Sequence, residues 1–353
     1  MARAGMTTVA FAVGVLAASL HGQQPTPPQR PENGPFRFKS GVELINVTAT
    51  VSDASGRFVP GLRQEDFVVY EDNQPQRVTH VSSERVPVSL GIAVDTSGSM
   101  AGEKIRAAQA AIDRFLFELL DKQDEIFIYT FSNYPTLVQG WTNDRQLLTK
   151  AIGRMSANGG TAMYDTIADA VPLLSQGHHA KKALVVISDG RDTSSTVTAN
   201  DARVAIRATE ALVYAVGIDC ASESDRRPNV FEQRRGGMPI PFPFPGGGRR
   251  PFPPPQTPPI RPGPSDRSWA RCNDPVDVAA LRDLTDDSGG RTEIIREPRD
   301  LNPATASVAD ELSKQYYLGY PSTEKRDGKW HAIRVEVRNH AYRVRARRGY
   351  TAS

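Results

Sequence analysis

Three short stretches hold the residues whose types and spacing suit them to chemistry. Asp95-Thr96-Ser97-Gly98-Ser99 sets a carboxylate and two hydroxyls at alternate positions, and residues two apart in an extended segment point the same way. Their oxygens can therefore aim at one point. Hard divalent cations take oxygen ligands, and Mg²⁺ in particular binds through few protein groups while keeping waters. Thr161 follows Gly159-Gly160 at the start of a helical pattern, and Asp189 closes the apolar run 183–189 (ALVVISD) just before Gly190. Each stretch alone is also what a helix cap or loop looks like, since Asp and Ser are common N-caps.

The elements around them decide whether they meet. The run 88–95 (VSLGIAVD) has the continuous apolar character of a buried parallel strand. Ile105, Ala108, Ile112, Phe115 and Leu119 then recur at spacings of three and four, one face of a helix. A strand at 125–132 is followed by 136–141 too closely for a helical crossover, so that pair must be antiparallel and suits a sheet edge. Helices are expected at 144–155, 162–174, 199–210, 277–284 and 304–315, and strands at 183–189, 211–219 and 291–296, with Gly289-Gly290 ending the fourth helix. This alternation predicts an α/β fold with a doubly wound, Rossmann-like, mostly parallel sheet. Ligands of such sheets bind beyond the carboxyl ends of the strands, where strand order reverses. If the strands ending at Asp95 and Asp189 are neighbours there, the oxygens of Asp95, Ser97, Ser99, Thr161 and Asp189 converge.

Both flanks read differently. Residues 43–52 alternate Ile45, Val47, Ala49 and Val51 with other residues, 67–70 and 77–81 look extended, and Ser55-Gly56 and Pro60-Gly61 mark turns. After the α/β part, 330–338 and 342–347 alternate again. Neither flank has enough strands to bury a face alone. Residues 41–86 and 316–353 are expected to combine into one discontinuous β-sandwich-like domain, with 87–315 inserted through it.

DTSGS, the Gly-Gly-Thr161 segment and Ser188-Asp189-Gly190 resemble, in order and spacing, the metal-ion-dependent adhesion site of von Willebrand factor type A domains. The stretches VTATVSDASGRFVPGLRQEDFVVYEDNQPQ and YYLGYPSTEKRDGKWHAIRVEV, with YRVRARRGY, look like the flanks of a secreted bacterial VWFA-related family. That resemblance implies a complete site binding Mg²⁺, or Mn²⁺ or Ca²⁺. Ser97 and Ser99 would bind the metal directly, Asp95 and Asp189 largely through water, and Thr161 directly or through water. With the carboxylates one shell back, the +2 charge is under-neutralised, and an Asp or Glu carboxylate of a protein partner completes the shell. The resemblance also implies that ligand binding shifts the last helix. The expected function is metal-dependent protein binding or adhesion; the competing class is a structural scaffold of an envelope complex.

Composition frames these readings. At 353 residues with 39% hydrophobic and 24% charged, the chain is not wholly disordered. Its averages hide unlike segments: of 27 prolines, 12 lie between Pro239 and Pro264, a stretch expected to be extended and solvated. The insertion 221–271 carries 9 Lys/Arg against 4 Asp/Glu, and 329–353 carries 7 against 1, so the small net charge of +3 conceals an acidic body. Arg3 followed by the apolar run 7–20 reads as a secretory signal peptide over 1–22, ahead of a Pro-rich linker at 23–40. A secreted or periplasmic protein with no transmembrane segment in its mature chain is expected. In that compartment Cys220 and Cys272, at the edges of the insertion, are expected to form a disulfide. No Gly-x-Ser-x-Gly elbow, P-loop or Cys/His zinc spacing occurs. His178-His179 are adjacent and suit a surface loop. The chain is therefore expected not to be an enzyme, and export without a reader motif argues against nucleic acid.

Overall fold

The computed structural model describes residues 44–219, 276–322 and 327–352. The expected signal peptide and linker, the Pro-rich insertion, Cys220 and Cys272 lie outside the described residues. The chain runs through β1 (Leu44–Ser52), β2 (Phe67–Glu71), β3 (Gln74–Gln76) and β4 (His80–Ser82), then β5 (Val88–Asp95), α1 (Glu103–Arg114), β6 (Glu125–Phe131) and β7 (Pro135–Thr142). Next come α2 (Arg145–Ile152), α3 (Met163–Ser175), β8 (Lys181–Ser188), α4 (Ala199–Arg207), β9 (Leu212–Ile218), α5 (Val278–Asp286), β10 (Thr292–Ile295) and α6 (Leu301–Ser313). Four strands close it: β11 (Tyr316–Pro321), β12 (Trp330–Val337), β13 (Arg343–Ala346) and β14 (Gly349–Thr351).

The α/β part is built on a six-stranded sheet of order β10-β9-β8-β5-β6-β7. Its pairs are parallel except the edge hairpin β6–β7. Every residue of β5 and β9 is buried, as continuous apolar runs require when helices cover both faces. On one face Ala108, Ala111 and Ile112 of α1 and Val308 and Leu312 of α6 pack against Leu90, Ile92, Val185 and Tyr214. On the other, Met163, Ile167 and Val171 of α3, Ile206 of α4 and Leu281 of α5 cover Ala93, Phe127, Leu184 and Val213. The expected α/β architecture is the observed one.

Boundaries moved where polar side chains cap helices. Asp144 precedes α2 and accepts from the N–H groups of Gln146 and Leu147. Asp277 likewise precedes α5 and accepts from Ala280. The last helix begins at Leu301 rather than 304, because Pro303 lies in its first turn, where no intrahelical N–H is needed.

Two four-stranded sheets, β13-β1-β11-β4 and β14-β12-β2-β3, share a second core. Val47, Val51, Val69, Tyr316, Leu318 and Ile333 meet in it. Strand β1 pairs antiparallel with both β11 and β13, and β2 with β12, so strands from before and after the α/β part interleave. Three details differ from expectation. The stretch 77–81 becomes strand only at His80: β3, just before it, joins β2, while β4 pairs with β11 in the other sheet. Strand β11 was not anticipated, since Gly319 and three tyrosines blur its alternation, and β14 is too short to show a period.

A polar cluster joins the two parts. Glu311 of α6 accepts from Tyr214 Oη at 3.0 Å and Thr50 Oγ1 at 3.1 Å, and pairs with Arg345 and Arg291. Gln315 donates to Tyr214 Oη and Thr50 Oγ1. Beside it the buried Lys181 ammonium, at the start of β8, donates to the Leu312 carbonyl.

Candidate metal site

Strands β5 and β8 are parallel neighbours in a register that pairs Val94 with Ile187. Their C-terminal ends therefore stand side by side where strand order reverses. Ser188 Oγ donates to Asp95 Oδ2 at 2.5 Å, and the Ser97 N–H donates to Asp95 Oδ1 at 2.7 Å. Asp95 is fully buried, and that burial pushes its carboxyl up to about 6 despite these hydrogen bonds, the nearby Asp189 adding to the rise. Beyond Ser97, which is extended, the chain makes one 3-10 turn at Gly98–Met100. Ser97 Oγ and Ser99 Oγ lie 3.0 Å apart, and Ser99 Oγ donates to Asp189 Oδ1 at 2.7 Å. Four of the five expected residues are thus in one hydrogen-bonded group.

Thr161 arrives from the loop before α3. The Asn158 N–H donates to the Thr96 carbonyl at 2.7 Å, the Gly98 N–H to the Gly159 carbonyl at 2.9 Å, and the Gly160 N–H to Asn133 Oδ1 at 2.7 Å. Both glycines are needed. Gly159 has φ +74°, and a Cβ on Gly160 would stand 2.2 Å from Ser194 Oγ. The Thr161 N–H donates to Thr193 Oγ1, while its carbonyl accepts from the N–H groups of Thr193 and Ser194. Thr161 Oγ1 lies 3.8 Å from where a Cβ of Gly190 would be, on the residue that follows Asp189. Asp165 and Asp192 latch the same loops, accepting from Val197 and Tyr164 respectively. Asp95, Ser97, Thr161 and Asp189 are buried, whereas Gly98 and Ser99 open to solvent.

Three participants were not read from the sequence. Lys104 of α1, itself buried, forms an ion pair with Asp189 Oδ2. Its signal was available: a cation in the first turn of a helix opposes the macrodipole and needs a compensating partner. Ser188 stands in the Ser188-Asp189-Gly190 stretch but was given no role there, and Asn133 left no trace, since an asparagine in a hairpin turn is unremarkable. His178 and His179 lie at the other end of the sheet, beside Ser89 and Glu125, away from Asp95.

The donor set is two carboxylates and three hydroxyls, all oxygen, which suits a hard cation rather than a thiolate- or imidazole-seeking one. Among the described residues no group of three or more His, Cys, Asp or Glu is placed to hold a metal, so hydroxyls are essential to any cation bound here. With Lys104 offsetting one of the two carboxylates, the pocket formally holds one excess negative charge. A cation is matched electrostatically without being fully neutralised.

Residues 90–191 match the family model of the von Willebrand factor type A domain. Inter alpha-trypsin inhibitor heavy chain 4 of Mus musculus is 27% identical over 211 residues, which are 46% of this chain and 22% of that protein's own length. The structure of a von Willebrand factor type A protein from Catenulispora acidiphila is 14% identical, with a TM-score of 0.46, covering 89% of this chain and 74% of the other. That of the conserved hypothetical protein BatB from Bacteroides thetaiotaomicron is 18% identical, with a TM-score of 0.43, covering 64% of this chain and 97% of the other. The α/β part of the chain, bearing Asp95 and Asp189 at the ends of adjacent parallel strands, has the fold of a von Willebrand factor type A domain.

Proposed function

We propose that the protein is a divalent-cation-dependent protein-binding module of the secreted or periplasmic space. In this reading Asp95, Ser97, Ser99, Thr161 and Asp189 hold Mg²⁺, or Mn²⁺ or Ca²⁺, and an Asp or Glu of a partner completes the coordination. The observation that carries it is the exposed Ser99 hydroxyl bonded to the buried Asp189 carboxylate, with Ser97 Oγ at 3.0 Å. When bound, the cation would supply positive charge to attract a partner carboxylate at the exposed Ser99 end of the pocket. Asp95, locked by Ser97 and Ser188, anchors the pocket floor. Lys104 fixes the second oxygen of Asp189. Because both carboxylates are committed in this way, neither is free as a general base, which favours binding over catalysis. Residues 41–86 and 316–353 form the base in this reading, and export rests on the apolar run 7–20. Among the described residues no helix is long and apolar enough to cross a membrane.

Thermal unfolding of the full chain tests the first step. Mg²⁺ at 100-fold its Kd should stabilise by about 2.7 kcal/mol, roughly 4 °C for a chain of this size. EDTA should reverse the shift, and Asp95→Ala or Asp189→Ala should abolish it. Indifference to both Mg²⁺ and EDTA overturns the reading. Capture of envelope proteins with and without Mg²⁺ tests the second step. A chain that Mg²⁺ stabilises but that captures nothing in a metal-dependent way is a scaffold instead.

A further inference from the structure

Beside the candidate metal site lies an open cleft of about 450 Å³ between the β6–β7 hairpin and α2. Thr96 and Asn158 line its inner end, and these residues are joined by the hydrogen bond that lays the Thr161 loop over the Asp95 loop. The cleft therefore abuts the two loops that carry the site. Its composition is unusual for an open surface. Among the described residues seven large hydrophobic side chains are exposed, and three of them, Tyr134, Val138 and Leu147, line this cleft. Tyr134 is the most exposed of the seven, at 67%, although a ring left in water forgoes the burial that stabilises most aromatics.

The same wall carries Lys150 and Arg154, both exposed and neither in an ion pair among the described residues. Lys150 lies in the last turn of α2 and Arg154 just beyond its end, two like charges on one wall. The C-terminal dipole of α2 favours cations there, but it does not account for the apolar side chains alongside. No acidic residue is among those lining the cleft. Five apolar and seven uncharged polar side chains line the cleft beside these two cations, and exposed apolar side chains next to an unneutralised basic pair are complementary to a segment that alternates apolar and acidic side chains.

We infer that this cleft is the second half of the binding surface, taking the partner segment that continues from the metal-reaching carboxylate: an extended, acidic and apolar stretch of a protein. This deepens the proposed function and rests on it for the first contact. Apolar side chains of the segment cover Tyr134, Val138 and Leu147, and its further carboxylates pair with Lys150 and Arg154.

The test uses the full chain and a fluorescein-labelled synthetic peptide alternating aspartate with phenylalanine, followed by fluorescence anisotropy. Lysine-phenylalanine and aspartate-serine peptides are the controls. The aspartate-phenylalanine peptide should bind in Mg²⁺ and both controls at least about tenfold more weakly. Lys150→Glu with Arg154→Glu, and separately Val138→Ser with Leu147→Ser, should each weaken binding about tenfold or more. These are surface changes, so an unaltered melting temperature confirms that folding is intact. Binding within twofold of the unmodified chain in both cleft variants overturns the inference, as does failure of the aspartate-phenylalanine peptide to bind. The metal reading is judged separately by EDTA and Asp95→Ala. Binding lost in EDTA but unchanged in the cleft variants overturns the cleft alone. Binding lost in the cleft variants but indifferent to EDTA upholds the cleft and overturns the metal contact.

Discussion

The six-stranded sheet and the paired four-stranded sheets bury similar side chains by different routes. In the first, β5 and β9 are buried at every position, and each strand lies beside others delivered by a nearby helix. In the second, β1 and β12 bury alternate residues, and β1 finds its partners β11 and β13 only at the far end of the chain. The α/β part can organise from contacts close in sequence, whereas the sandwich must wait until both ends are brought together. One part is a matter of local order and the other of closure.

The largest effect is expected inside the α/β part, at a turn where nothing can yield. A Cβ at Gly290 would stand 1.9 Å from the Val213 carbonyl oxygen, backbone against backbone. Gly290→Ala should cost about 3 kcal/mol or more in urea unfolding. A loss below about 1 kcal/mol would mean the α5–β10 turn is looser than its packing indicates.

Matched truncations sharpen the contrast. Val185→Ala in β8 and Val47→Ala in β1 each remove two methyls from a fully packed side chain and should each cost about 2 kcal/mol. Their kinetics should differ. Val185→Ala should chiefly slow folding and Val47→Ala chiefly speed unfolding. Equal φ-values at the two sites would break the distinction between local order and closure.

A smaller effect probes the junction. Burial lowers the Lys181 ammonium from 10.5 to about 7, opposed by the Glu311 charge. A base depressed in the folded state binds fewer protons folded than unfolded between those values, so stability rises with pH across that window. The gain from this residue should be about 2 kcal/mol between pH 7 and pH 9. Lys181→Met should flatten that rise while leaving the chain at least as stable at pH 7. A Lys181→Met chain with the same pH slope would show that the ammonium is solvated after all.

The same contrast explains what could be read in advance. Asp95 and Asp189 were legible because each ends a continuous apolar run, and a parallel sheet places such ends together. The antiparallel β7 followed from the brevity of the turn before it. Lys104 was passed over because its partner is distant in the chain and only the dipole argument pointed to one. Strand β11 went unread because its pairing with β1 and β4 is set by closure, and Gly319 interrupts the period that would have revealed it. That β3 and β4, near neighbours in the chain, join different sheets has the same origin: no local pattern says which sheet an edge residue joins.

The entry and exit of the α/β part have a mechanical consequence. The chain enters at Val88, whose register partner is Lys181, and Lys181 holds the end of α6 at Leu312 just before the chain leaves. Both tethers thus sit at one end of β5, and Asp95 sits at the other. A pull between a bound partner and the sandwich would run along β5, which is hydrogen-bonded on both sides, to β6 and to β8. Those bonds lie across the line of force and must be sheared together rather than peeled one at a time. The strand that carries the candidate site is thus anchored on both sides to hold under tension.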